Sequence, residues 1–159
     1  MHTTVQLYTL VFVKKHNLVL LGMKKRGFGK GKWNGYGGKV EENESVTIGA
    51  KRELKEESNL DVDVEKLTHL GQINFENLTT CDARLVHIFT VDDTCGTLRE
   101  TEEMIPGWFS RDDVPYEDMW PDSRYWLPLV LNDKIFSARF VYSGDELLEK
   151  LVHELPQNM

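Results

Sequence analysis

Apolar residues run almost unbroken through Val5–Val13 and Leu18–Met23, which predicts two strands with Lys14–Asn17 as the turn between them. Leu70–Phe75, Arg84–Val91, Gly107–Phe109 and Ile135–Tyr142 read as further strands. Between them Val46, Ala50 and Leu54 recur every fourth residue, so Ser45–Ser58 is expected to be a helix. Asp145–Leu155 is expected to be an amphipathic helix, with Leu147, Leu148, Leu151, Val152 and Leu155 on its apolar side. Trp120–Leu131 has helical character that Pro128 interrupts. The glycine-rich stretch 27–38 reads as loop. Strands before and after a central helix predict an α+β fold, with helices packed on a mixed sheet. No repeat, low-complexity tract or linker divides the chain, so residues 1–159 are read as one domain.

The length of 159 residues suffices to bury a core without disulfides or metal staples. The longest clean apolar run, Leu7–Val13, is far short of the ~20 residues of a spanning helix. It has no basic flank or small-residue cleavage site, so no signal peptide is expected and the cytoplasm is the default compartment. The net charge of −7 disfavours nonspecific binding to nucleic acid polymers and anionic lipid. Cys81 and Cys95 have neither a C-x-x-C spacing nor a histidine at zinc spacing, and read as free thiols. His2, His16, His69, His87 and His153 have no local partner that would make a catalytic histidine.

Charge is unevenly placed. Residues 22–40 hold six bases, no acid and seven glycines, whereas residues 41–66 hold nine acids against four bases. Glu53, Glu56 and Glu57 stand at i, i+3 and i+4, within roughly a 100° arc of the helix. That arc includes or borders Val46 and Ala50, while Lys51, Lys55 and Ser58 lie opposite. Like charges four residues apart repel, and the C-terminal end of a helix already disfavours anions. A divalent cation would offset both effects; a solvated acidic face with basic neighbours is the alternative. Gly22–Lys39 contains neither a Walker A nor a dinucleotide fingerprint. Its glycines and lysines still suit an anion, and beside clustered carboxylates they point to a metal-bridged phosphate ligand.

Gly38, Glu44, Arg52, Glu53, Leu54, Glu56, Glu57, Asn59 and Leu60 together resemble the Nudix signature, G-x(5)-E-x(7)-R-E-U-x-E-E-x-G-U with U a bulky aliphatic. The only departure is Asn59 for the last glycine. Asparagine also accepts the left-handed cap conformation, so the local geometry is expected to survive. Leu7–Val11, Leu21–Gly29, Trp33–Val40 and Met119–Asp122 are similar to the animal members of that family that act on oxidised purine nucleoside triphosphates.

The resemblance implies a Nudix-type mixed β-sheet sandwiched between α-helices. It implies hydrolysis of substrates such as 8-oxo-dGTP to the monophosphate and pyrophosphate, which would sanitise the nucleotide pool. Magnesium, with manganese as a substitute, would be held by Glu53, Glu56, Glu57 and Glu103 and the carbonyl of Gly38. Glu53 would be the first choice of base, with Glu57 and Glu103 next, Arg52 orienting Glu53 and Glu44 supporting the loop. Thr9, Lys24, Phe28, Asn34, Gly37, Phe75, Trp120, Asp122 and Ser123 would bind substrate. Asn77 and Arg84 replace an aromatic and a methionine of that group, and Ser123 replaces a second aspartate. Without that neighbour, Asp122 is expected to stay ionised as an acceptor. The chain is expected to be a monomer with no nucleic acid or membrane partner, found in the cytoplasm, with mitochondrial or nuclear fractions also implied. Related alternatives are hydrolysis of another modified nucleotide, a dinucleoside polyphosphate or an RNA cap, with Trp120, Tyr125 and Trp126 as stacking candidates, and nucleotide binding without turnover.

Overall fold

Val13, Lys14 and Lys15 of β1 (Gln6–Lys15) pair antiparallel with Leu20, Val19 and Leu18 of β2 (Leu18–Lys24), across a tight turn in which His16 takes φ 57°. The computed structural model describes residues 4–157, and His2 lies outside them. The glycine-rich stretch is not all loop: Trp33–Asn34 forms a short strand, β3, on Gly22 and Met23. Helix α1 (Val46–Ser58) follows, then β4 (Thr68–Asn77), β5 (Asp82–Val91) and β6 (Met104–Ser110). Helix α2 (Ser123–Leu131), β7 (Phe136–Ser143) and β8 (Glu146–Glu154) complete the described chain. The sheet order is β3-β2-β1-β5-β4-β7-β8, with β6 on β2. The β1–β5 and β4–β7 pairs are parallel and the other pairs antiparallel, so the sheet is mixed.

The alternation of strand residues divides the core into two layers. On one face Ala50 and Leu54 of α1 pack on Val11, Val13, Leu20 and Phe89. On the other, Trp126, Leu127, Val130 and Leu131 of α2 pack on Phe12, Val19, Leu21 and Phe140. The sheet is therefore sandwiched between helices, as expected. Ser45 caps α1 by accepting from the Ile48 N–H at 3.2 Å, and Asn59 closes it in the left-handed conformation at φ 69°. Pro128 lies within α2 rather than ending it. It removes one N–H from the helix, while burial of the flanking Trp126, Leu127, Val130 and Leu131 holds the turn.

The expected C-terminal helix is instead a strand. β8 pairs with β7 along its length, and Leu148 is an extra residue between Leu147, which pairs with Tyr142, and Glu149, which pairs with Val141. Such a bulge reverses the alternation, so Leu147 and Val152 pack on the core while Leu151 is 53% exposed. The doubled leucines around the bulge imitate a helical period. Among the described residues no helix is long and apolar enough to cross a membrane.

The two geometries differ in what truncation costs. In the strand, Val152→Ala should lower unfolding free energy by about 1 kcal/mol, and Leu151→Ala should stay within about 0.5 kcal/mol. Chemical denaturation of both variants checks this; equal losses would favour a helix presenting both residues to the core.

Candidate active site

Arg52 organises the acidic end of α1. Its Nε and Nη2 donate to Glu44 at 2.8 and 2.9 Å, its Nη1 donates to Glu53 at 2.9 Å, and Nη2 also reaches the Lys39 carbonyl at 3.1 Å. The guanidinium and then the Glu41 N–H hold the Glu44 carboxyl down to about 2, so Glu44 is a fixed anion that anchors Arg52. Arg52 in turn ties helix, loop and Glu53 into one unit.

The loop approaches that unit through backbone alone. Thr9 donates to the Gly38 carbonyl at 2.9 Å, and Tyr36 and Val11 exchange two backbone hydrogen bonds. A Cβ on Gly37 would stand 1.8 Å from the Thr9 carbonyl oxygen, and one on Gly38 would stand 2.6 Å from the Glu53 carboxyl carbon. Only glycines allow strand, loop and carboxylate to meet this closely. The stretch is thus pinned to β1 over residues 36–40.

Five glutamates line the cavity: Glu53, Glu56 and Glu57 of α1, Glu103 before β6, and Glu76 on β4. Glu57 is buried, accepts from the Gly37 N–H at 3.0 Å, and has Lys24 3.9 Å away. Burial, and then the charge of Glu53, pushes its carboxyl up to about 7. Burial also pushes Glu53 up, with Arg52 opposing. Glu103 behaves oppositely: it accepts from Arg26 at 2.6 and 2.9 Å, with Lys24 3.5 Å away, and these cations hold it below the usual carboxylate range. Glu56 opens to solvent, with Arg52 3.3 Å away.

These residues fit a divalent cation electrostatically. Glu57 is buried and Glu53 half-buried beside it, and their cations are shared, Arg52 with Glu44 and Lys24 with Glu103. Each acid is turned toward its own protein donor. Among the described residues no three His, Cys, Asp or Glu side chains converge on one ligating point. A cation held by these acids would need their side chains to turn away from those donors.

The same cavity, about 850 Å³, continues away from the acids into an aromatic cage. Trp120 stacks on Phe28 with centroids 5.0 Å apart, and Phe75 and Tyr8 join the wall. Thr9 Oγ1 is buried without a hydrogen-bond partner, and the Asn34 side chain accepts from the Gly35 N–H at 2.8 Å. Asp122 lies at the inner wall and is buried. It accepts from Trp126 Nε1 at 2.7 Å and from the Tyr142 hydroxyl. Burial pushes its carboxyl up, with these two bonds opposing, which is the reverse of the readily ionised acceptor expected from sequence. Ser123 is buried outside the cavity wall, so the structure does not bring it to the predicted substrate site. The other predicted positions, Thr9, Lys24, Phe28, Asn34, Gly37, Phe75, Trp120 and Asp122, share the cavity with Glu53, Glu56, Glu57, Glu103 and Gly38.

Residues missed from sequence complete it. Tyr142, twenty positions from Asp122, reaches it only because β7 lies under α2. Arg84 places its guanidinium over Tyr8 at 4.6 Å and Phe28 at 4.9 Å while donating to Asp82 at 2.6 Å, so the position noted as a departure is a cavity wall. Trp126 is core, edge-on to Phe12, and Tyr125 sits outside the cavity beneath Lys150.

A model of the NUDIX domain matches residues 3–130, which include the glycine-rich loop, α1 and Glu103. The chain belongs to the Nudix family. It is 50% identical over 146 residues to the oxidized purine nucleoside triphosphate hydrolase of Mus musculus, covering 92% of each chain. It is 46% identical over 145 residues to the Danio rerio protein of the same name, covering 91% of this chain and 92% of the relative. Among solved structures, a MutT protein from Bacillus halodurans matches with TM-score 0.83 and 26% identity, over 93% of this chain and 97% of that one. A MutT Nudix hydrolase from Burkholderia pseudomallei shares the fold, with TM-score 0.72 over 80% of this chain and 98% of that one. Nudix hydrolases generally work with divalent metal ions, and the acidic cleft supplies the oxygen ligands such ions take.

The raised Glu57 carboxyl has a thermodynamic signature. Between its ordinary 4.5 and about 7 the folded Nudix domain keeps a proton that the unfolded chain has lost. Metal-free protein should therefore lose stability as pH rises through this window, by on the order of 1–3 kcal/mol, and level off above it. Denaturation against pH should show the loss in wild type and not in Glu57→Gln, and divalent cation at pH 8 should restore wild type.

Proposed function

We propose that this Nudix hydrolase cleaves oxidised purine nucleoside triphosphates, such as 8-oxo-dGTP, into the nucleoside monophosphate and pyrophosphate. The observation that carries the reading is one continuous cavity with glutamates at one end and an aromatic cage with buried polar groups at the other. Its dimensions suit a small nucleotide. The names of the mouse and zebrafish relatives supply the substrate class.

The cage takes the base between aromatic faces, with Thr9, Asn34 and Asp122 reading its polar edge. Lys24 and Arg26 line the same cavity beside Glu57 and Glu103 and meet the phosphates. Glu53, Glu56, Glu57 and Glu103, with the Gly38 carbonyl, hold Mg2+, for which Mn2+ can substitute. When bound, the ion neutralises charge on the phosphate oxygens and makes phosphorus a better electrophile. A water attacks phosphorus and the phosphoanhydride bond to pyrophosphate breaks, the leaving oxygen taking the electron pair. Glu57 is the favoured acceptor of the water's proton, because its Oε2 has only the 3.9 Å contact to Lys24. Glu53 and Glu103 are each held by an arginine. The chain acts as a monomer on free nucleotide, without a nucleic acid polymer, in the cytoplasm or another nucleotide-holding compartment such as mitochondrion or nucleus.

Incubation with Mg2+ and a panel of oxidised, methylated and ordinary nucleotides, with chromatography of products, tests the reading. Oxidised purine triphosphates should be consumed fastest and pyrophosphate should be the primary product; orthophosphate, or turnover only of ordinary nucleotides, would reject it. Glu57→Gln should lower kcat by at least about 100-fold with KM little changed. Arg84→Met should alter the kcat/KM ratio between oxidised and ordinary guanine triphosphate while leaving the product unchanged, because Arg84 touches the cage and not the acids. An unaltered ratio would remove Arg84 from base selection.

A further inference from the structure

On the α1 side of the sheet, away from the catalytic cavity, two histidines meet. His69 on β4 and His87 on β5 stand with His69 Nε2 and His87 Nδ1 3.0 Å apart, and neither lines the cavity. The rings are tilted by 42° with centroids 5.0 Å apart, and Phe89 packs against His69 at 5.0 Å. Both strands are fixed over a long antiparallel ladder, in which His69 pairs with Phe89 and Gln72 with His87. The pair is positioned by the sheet rather than by a mobile loop.

We propose that His69 and His87 form a chelating site for an imidazole-preferring divalent transition metal of the nickel, copper or zinc class, separate from the catalytic magnesium site. The separation is the first support. Two nitrogens on one ion at about 2.1 Å, meeting at a right angle, stand about 3.0 Å apart; a tetrahedral bite opens this to about 3.4 Å. Either is reached by small rotations of the two rings.

Ligand chemistry is the second support. Burial lowers the basicity of both rings, and His69 lowers that of His87 further, so both are neutral at pH 7 and have lone pairs to offer. The Gly71 carbonyl beside His69 favours a proton on that ring. With Nε2 directed at His87, the proton belongs on Nδ1, leaving Nε2 bare. A backbone carbonyl beside the ring is a common outer support of a metal-bound histidine. Without metal, His87 Nδ1–H donates to that lone pair. With metal, His87 moves its proton to Nε2 and both facing nitrogens bind. Access is open on the His69 side, which is exposed. Among the described residues no third His, Cys, Asp or Glu joins the pair, so water fills the remaining positions. Imidazole ligands and water select against Mg2+, which takes oxygen.

The site is tested with tag-free protein in saturating Mg2+, which keeps the catalytic carboxylates occupied. Ni2+ is titrated by calorimetry into wild type, His69→Ala, His87→Ala and a His16→Ala control. Wild type and the control should bind one Ni2+, and thermal unfolding should shift upward with it, because the ion crosslinks β4 and β5. Each pair variant should lose affinity by more than the ~10-fold typical of losing an outer-shell partner, and should lose the thermal shift, while Mg2+-dependent turnover stays at the wild-type level. Equal Ni2+ affinity in all four proteins would overturn the proposal, as would absence of binding in wild type.

Discussion

At Gly37 and Gly38 the chain backbone passes so close to Thr9 and Glu53 that no side chain fits between them. Much of the cleft depends on this contact. It seals the loop onto β1, presents the Gly37 N–H to Glu57, and sets the wall against which Glu53 is packed. Three parts of the chain that are far apart in character, an apolar strand, a glycine-rich basic loop and an acidic helix, are joined by peptide groups rather than by side-chain packing. Side chains with four carbons of freedom could not hold the carboxylates as firmly as a backbone whose position is fixed on both sides.

Around that contact the electrostatics are arranged in tension. Glu44 and Arg52 form a stable pair that stays charged at any ordinary pH and positions the helix end. Beside it Glu57 is buried and Glu53 half-buried, with too little positive charge of their own, which raises their proton affinity. Glu103, on the approach to β6, is kept ionised by Arg26 and Lys24. The acids thus differ in environment although they share one cleft, and an incoming cation or phosphate changes the balance for all of them together. Removal of any one charge is felt by its neighbours, so their contributions are not additive.

The cage at the other end obeys a different rule. There the side chains are placed by their neighbours: Trp120 by Phe28 and Tyr142, Arg84 by Tyr8 and Asp82. Asp122 sits at the edge of the α2-side core, bonded to Trp126 and lining the cavity. Its proton affinity is governed by burial, and so by core packing as well as by the residues that line the wall.

The acidic helix was legible from sequence alone, because its period, its cap at Asn59 and the spacing of Glu53, Glu56 and Glu57 are local properties of a regular helix. So were the strand-rich α+β character and the membership that the signature implied. The strand Glu146–Glu154 was not legible, since a bulge at Leu148 changes which face each later residue takes, and that bulge exists only through pairing with β7. Nor were the pinning of residues 36–40 to β1, the reach of Tyr142 to Asp122, the withdrawal of Ser123 from the cavity wall, or the meeting of His69 with His87. Each brings together residues distant in the chain. Local periodicity and motif spacing determined the chemistry this protein carries. Sheet register and burial decided which groups meet, and therefore which carboxyls hold protons, because desolvation depends on neighbours that only the folded chain supplies.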